Sequence, residues 1–253
     1  MEDKAVPEKV YKIAIAVPCG GFTAPESYDN HLTIMYHIGK MEESWKRDKR
    51  NPRYEFYFYK VGRLLTAMAR EKLIEVSMTN KMDYIIMYDD DMLLPIDMFE
   101  ALLYDIEEHP EIDILAPLAF MRNAPHYPVI YNSIEGYDSQ RHQSYYKNEF
   151  VKNYPREKLV ECDAVGFGAV LINMRIFTKM TPPFFFSTTG TGEDIYACIK
   201  AKKEAGARVF MDTRIKLGHL GTPKIIDEDY RDNFVKENKE DILDIPTKYN
   251  YDK

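Results

Sequence analysis

The chain has 253 residues, 45% of them hydrophobic, which is enough to build the core of one large domain. Its net charge of −7 and pI near 5.5, with basic residues scattered rather than gathered in a stripe, argue against nucleic acid as a partner. Three widely separated cysteines, Cys19, Cys162 and Cys198, argue against a disulfide framework or a structural zinc site and fit a reducing, cytoplasmic setting.

The N-terminal MEDKAVPEKVYK is charged and has no apolar leader core, and the longest nearly apolar run, residues 164–174, is too short to cross a bilayer. No transmembrane segment is expected, and peripheral membrane association stays open. Residues 12–18 (KIAIAVP) predict a buried first strand broken at Pro18, with Cys19-Gly20-Gly21 as the following turn. Neither G-x-G-x-x-G nor a P-loop follows it. A helix is expected over 27–47, capped by Ser27 or Asp29, and then a solvated basic loop over 45–53. YEFYFYKV (54–61) predicts a strand, 62–78 a helix with Arg70 beside its apolar face, 83–88 a strand, and 95–108 a helix with Pro95 in its first turn.

Residues 111–120 predict another strand. The segment 121–158, rich in Tyr, His, Asn and Pro, shows little periodicity and reads as a substrate loop or lid, with Tyr127, Tyr131, Tyr137, Tyr145 and Tyr146 as stacking surfaces for a sugar. Strands are expected over 159–165 and 169–174, around Gly166-Phe167-Gly168, where missing side chains would let a ligand approach the backbone. A breaker-rich loop, 182–192, leads into Glu193-Asp194 and a helix ending at Gly206; 208–212 is a last short strand before Leu217-Gly218-His219-Leu220-Gly221. Residues 222–253 form a charged tail containing one amphipathic helix and are expected to be mobile. No internal repeat or linker divides the rest, so one domain over 1–221 is expected, with an α/β, Rossmann-like, mostly parallel sheet flanked by helices.

The chemistry concentrates at Asp89-Asp90-Asp91, which end the apolar run YIIMY. Three adjacent carboxylates are costly to bury unpaired, so they make sense where a cation sits. In an extended strand Asp89 and Asp91 share one face, giving two hard oxygen ligands suited to Mn²⁺ or Mg²⁺ with positions left for substrate phosphates. His219, held between glycines after a strand, is a third candidate metal ligand. Glu193 and Asp194 lie in a first helical turn, where simple dipole capping is the plain explanation.

In this order KIAIAVP, AREKLIEVSM, YIIMYDDDMLLP, CDAVGFGAVLINMRIF, GTGEDIYACIKAKKEAGARVFMD and LGHLG resemble the GT-A-fold glycosyltransferases, nucleotide-sugar-dependent enzymes with a metal-binding D-x-D. The resemblance runs from Lys12 to Gly221. It implies Asp91 as a direct metal ligand, Asp89 nearer the ribose or the metal's water shell, Asp90 on the sugar side, and His219 closing the metal site. It also implies Arg70, Pro18, Gly166 and Gly168 near the donor, and Glu193-Asp194 as the E-D pair whose Asp is the base in inverting members. Glu71 departs from the Asn common after the Arg. UDP-sugar, then GDP-sugar, is the implied donor, and a glycan or glycolipid the acceptor; inversion or retention stays open, as does the oligomeric state. Two rivals stand beside it: a haloacid dehalogenase-type Mg²⁺-dependent phosphatase or phosphotransferase, and a non-catalytic nucleotide- or glycan-binding module.

Overall fold

The structure, a computed structural model, describes residues 9–21, 23–138, 143–187, 191–221 and 225–238, with 134–138 and 143–146 described by backbone alone. In chain order the elements are β1 (Val10–Cys19), α1 (Pro25–Arg47), β2 (Arg53–Gly62), α2 (Thr66–Thr79), β3 (Tyr84–Tyr88), β4 (Met92–Leu93), α3 (Met98–Glu108) and β5 (Ile114–Leu118). They continue with β6 (Ile130–Asp138), β7 (Gln143–Phe150), β8 (Leu159–Cys162), β9 (Ala164–Val165), β10 (Ala169–Asn173), α4 (Glu193–Ala205), β11 (Val209–Lys216), β12 (Gly218–Leu220), β13 (Ile225–Ile226) and α5 (Glu228–Asn238).

The expected sheet is there. Seven strands run in the order β2-β1-β3-β10-β5-β11-β8, with β1 parallel to β2 and β3, β5 parallel to β11, and β10 and β8 antiparallel. Alternation of side chains along each strand divides the core into two layers. On β1, Ala14 and Ala16 face one layer with Leu73 and Ile74 of α2 and Cys198 and Ala201 of α4. Ile13, Ile15 and Val17 face the other, with Ile34, Ile38 and Trp45 of α1 and Phe99 and Leu102 of α3. Strand β3 alternates likewise, Ile85 and Met87 against Ile86 and Tyr88. Each such fully buried aliphatic side chain contributes about 1.5–3 kcal/mol.

The chain leaves β1 for β2 on one side and returns to β3 on the other, so the strand order reverses between β1 and β3. In open α/β sheets that reversal opens a crevice at the carboxyl ends of the strands. The turn after β1 and the three aspartates after β3 both sit there.

Several expectations change. Residues 121–158 are not a structureless lid: β6 and β7 form a hairpin that pairs with β9. Tyr131 is buried in the core, Tyr127 lies under the Lys152 ammonium, and the side chains of Tyr137, Tyr145 and Tyr146 lie outside the described residues. The strand expected over 159–165 divides at Asp163, where the chain passes from the main sheet to the hairpin sheet. The basic stretch 45–53 is partly helix α1, and its arginines are paired, Arg50 with Glu107 at 2.9 Å and Arg53 with Glu55 at 2.9 Å. Ser27 caps nothing: α1 begins at Pro25, and the buried Ser27 hydroxyl donates to the carbonyl of Asp90 at 2.6 Å.

The helix expected in the tail is α5, and the described part of that segment is attached to the domain. Strand β13 pairs with β12, and Glu228 of α5 is buried, accepting from Tyr154 at 2.8 Å and pairing with Lys216 at 2.7 Å. Residues 222–224 and 239–253 lie outside the described ones.

On the far side of the sheet, Asp105 of α3 and Asp212 of β11 are buried together under Arg214, which donates to Asp105 at 2.5 Å and to Asp212 at 2.8 Å. Burial, and then the neighbouring Asp212 carboxylate, raise the Asp105 carboxyl well above its ordinary value. The folded chain therefore holds a proton there that the unfolded chain has lost above about pH 4, and stability falls as pH rises from that point until the folded group also ionises. Asp105→Asn is expected to remove that decline, so the variant gains on the parent steadily from about pH 4 until the folded group ionises at about 7, by urea titration. Parallel stability–pH curves would count against the shared proton.

Candidate active site

The cleft forms where four segments meet. Among the residues lining its floor, about 180 Å³ in volume, are Pro18 of β1, which does not break there but pairs on through Cys19, Gly20 after it, Thr66 and Ala69 of α2, the three aspartates, and Arg122. The aspartates do not continue the strand. They turn, the amide of Met92 donating to the carbonyl of Asp89 at 3.3 Å, so the same-face relation expected for Asp89 and Asp91 is replaced by three different directions.

Asp89 points under α2, where Arg70 donates to its Oδ1 at 2.8 Å. Arg70 is 2% exposed and also reaches Glu193 at 2.6 Å and the carbonyl of Phe167 at 3.0 Å. Burial pushes the Asp89 carboxyl up to about 6, against the lowering effect of Arg70. Asp90 turns the other way and accepts the Gly20 amide at 3.0 Å, tying the loop after β1 to the turn after β3. Asp91 meets Arg122 and His219, the imidazole Nε2 standing 3.5 Å from Asp91 Oδ2. Burial works against the Asp91 charge, yet His219 and Arg122 outweigh it and hold the carboxyl below its ordinary value. Burial likewise opposes protonation of His219, but Asp91 and the carbonyl of Phe120 win and raise it.

A small second sheet delivers His219. Strand β12 runs antiparallel to β4, His219 opposite Met92, and the Leu220 amide donates to the Asp91 carbonyl at 2.9 Å. His219 Nδ1 donates to the carbonyl of Phe120 at 2.8 Å, leaving Nε2 aimed at Asp91. An imidazole fixed through one nitrogen with the other beside a carboxylate is the usual preparation of a metal ligand. Asp91 and His219 are the residues that would hold a hard divalent cation, which would take the place of the Arg122 guanidinium on Asp91 Oδ2; Asp89 is engaged by Arg70. Among the described residues no three His, Cys, Asp or Glu side chains group as a complete metal site.

Glu193 and Asp194 open α4. Glu193 is held by Arg70 and by the Ser187 hydroxyl at 3.3 Å. Asp194 accepts the Ile195 amide at 2.7 Å and is raised by burial, with Arg70 opposing. The glycine pair is explained by packing. A Cβ on Gly166 would stand 2.7 Å from Val129 Cβ, and one on Gly168 would stand 3.1 Å from the Met92 methyl, so protein side chains fill both spaces. The Gly168 carbonyl accepts the Asp89 amide at 2.9 Å, placing this segment beneath the acidic turn.

Sequence patterns did not flag Arg122, nor the grip of α1 on the turn. Besides Ser27, the Asn30 amide exchanges bonds with Leu94 at 3.0 and 2.8 Å, and His31 Nε2 lies 2.9 Å from the Met92 carbonyl. Polar residues at 27, 30 and 31 on one side of an otherwise amphipathic helix were the available signal.

No protein-family model and no curated protein sequence matches the chain. Among solved structures it is similar to A197 from STIV, with 15% identity and a TM-score of 0.52, over 87% of this chain and 91% of that one. That likeness is one of fold. The catalytic domain of Drosophila beta1,4galactosyltransferase 7, solved with xylobiose, aligns at 20% identity over 81% of this chain and 66% of that one, with a TM-score of 0.39, too low to define shared topology.

Arg70→Met leaves Asp89 and Glu193 facing each other without a cation. It is expected to cost about 3 kcal/mol at neutral pH, because removing one partner of a buried pair strands the other. The loss should shrink below about pH 5, where the stranded carboxylates can take up protons; a pH-independent loss in urea denaturation would contradict the electrostatic origin. Gly166→Ala is expected to cost about 1–3 kcal/mol by overpacking, with Val129→Ala restoring part of it in the double variant.

Proposed function

We propose that this chain is a glycosyltransferase of the GT-A kind, moving a sugar from a nucleotide-diphosphate sugar to a hydroxyl acceptor. The observation that carries this is the meeting of Asp91 and His219, 128 residues apart in sequence, at the strand-order reversal, beside the Arg70–Glu193 pair that opens α4. A divalent ion, Mn²⁺ or Mg²⁺, held by Asp91 and His219 would supply positive charge to the departing diphosphate.

The chain's own groups supply the rest. The end of β1 and Gly20, anchored by Asp90, border the crevice on the side where the nucleotide would lie, with UDP as the first donor to try and GDP the second. Arg70 holds Asp89 and Glu193 in fixed positions and leaves Asp194 as the acid of the E-D pair not bound to a cation by hydrogen bond. The acceptor oxygen attacks the anomeric carbon, the bond from that carbon to the phosphate oxygen breaks, and the acceptor proton passes to Asp194. Burial raises Asp194 above its ordinary value, which makes it a better proton acceptor than an exposed carboxylate. Attack from the face opposite the leaving group inverts the anomeric centre.

The test is a donor screen on the intact chain by thermal shift and by hydrolysis, with UDP-, GDP-, CMP- and dTDP-sugars, each with Mn²⁺, Mg²⁺ or chelator. A donor at about 100 times its Kd adds about 2.7 kcal/mol, or about 5–10 °C for a chain of this size. The shift should need metal and vanish in Asp91→Ala. Asp194→Asn should keep the shift while lowering turnover about 10²–10⁴-fold. No shift with any donor, together with phosphate release from simple phosphomonoesters, would replace the transferase with the phosphatase.

A further inference from the structure

Beside the acidic cleft lies a second cavity, about 800 Å³, between the start of α2 and the segment 183–187. Its size falls within the range of about 300–1,000 Å³ typical of small-molecule sites. The walls are apolar: Leu65, Met68, Pro183, Phe185 and Phe186. Three of these side chains are left in the open, Leu65 76% exposed, Met68 56% and Phe186 52%, although residues of this kind are ordinarily buried.

The cavity is preformed. Glu71 of α2 accepts the backbone amides of Phe184 at 2.8 Å and Phe185 at 3.0 Å, clamping one wall to the other. That is a structural use for the residue that departs from the Asn common at this position. The charged side chains of the walls already have partners: Glu71 accepts those amides, Lys72 pairs with Glu75 at 2.8 Å, and Glu193 with Arg70. Glu193 and Ser187 line it too, and Leu64 and Thr66 line both this cavity and the acidic cleft, so the two spaces are neighbours that share a wall.

From this we infer that the cavity is the acceptor's aglycone site, and that the acceptor is an amphiphile with an uncharged alkyl tail. The tail lies along Leu65, Met68 and Phe186, and the hydroxyl-bearing head reaches Glu193 and Asp194. An apolar wall whose charged neighbours already have partners within the protein favours a ligand with an uncharged apolar tail. The identity of the ligand as acceptor rests on the transferase proposal; the alkyl selectivity of the cavity does not.

The experiment titrates the intact chain with n-alkyl β-D-glucosides from hexyl to decyl, below their micelle concentrations, by calorimetry without metal or nucleotide. Affinity is expected to rise about fourfold per methylene. Leu65→Glu and Met68→Lys, both at exposed positions that folding does not depend on, should each lose at least about tenfold. Leu32→Glu, at a 52% exposed position on α1, should change nothing. A series flat in chain length, or Leu65→Glu binding like the parent, overturns the inference. So does binding to phosphatidylcholine vesicles with a flat glucoside series, which would make the patch a membrane-facing surface. If the series holds and no nucleotide sugar shifts the chain, the alkyl site stands and the transferase falls; the reverse outcome removes this inference alone.

Discussion

One buried guanidinium ties the cleft together. Arg70 sits in α2 with almost no exposure, yet it bonds Asp89 after β3, the Phe167 carbonyl before β10, and Glu193 at the start of α4. Burying a cation alone would cost several kcal/mol, so Arg70 is tolerable in the core only because three oxygens from three separate segments converge on it. The converse also holds. Those segments keep their mutual positions because each contributes an oxygen to the same planar fork, which a flexible ammonium could not satisfy in the same way. The Nε of Arg70 has no partner, so the fork is used on its two terminal nitrogens.

The remaining pieces arrive by backbone pairing. Strand β12 lies against β4, and this short ladder, with the Leu220 amide on the Asp91 carbonyl, registers His219 on Asp91. A slip of one residue would turn His219 to the opposite face. From the other side, Ser27, Asn30 and His31 of α1 hold the backbone from Asp90 to Leu94. The acidic turn is thus gripped by α1, α2 and β12, and its carboxylates cannot relax their repulsion by moving apart.

What was legible in the sequence follows from how much of the signal is local. Strands β1, β3, β5 and β10 are short apolar runs because helices cover both faces of the sheet, and such runs stand out. The hairpin β6–β7 did not, since its strands are rich in polar and aromatic residues and its pairing partner β9 lies well beyond the second strand. The break at Asp163 was hidden for a related reason. That buried carboxylate receives the Ser133 amide at 2.9 Å and Lys202 at 2.6 Å, partners that exist only in the folded chain. Helix α5 was expected in the tail, but its attachment was not, because charged composition suggests solvent, whereas Glu228 is buried among Tyr154, Arg156 and Lys216. Within the site, Arg70, the aspartates, Glu193 and His219 were recognisable as residue types in order. Arg122 was not, because only the return of the chain after β5 brings it to Asp91.

The environments of Asp89 and Asp91 show why residue type alone could not assign roles. The two are separated by one residue and are chemically identical, yet their surroundings push them in opposite directions. Asp89 loses solvent with Asp91 and Asp194 nearby, and one shared guanidinium does not offset that loss, so its carboxyl rises to about 6. Asp91 lies between Arg122 and His219, both of which stabilise its charge, and falls below the ordinary range. Exposure does not separate the two, 31% for the Asp89 side chain and 28% for that of Asp91; their partners do. The acids of α4 differ in the same way: Glu193 is bound to Arg70, and Asp194 is raised by burial and accepts the Ile195 amide. Five carboxylates crowd the cleft: two guanidiniums and one imidazole are divided among Asp89, Glu193 and Asp91, while Asp90 and Asp194 are held by backbone amides instead, so each acid is fixed by a different partner.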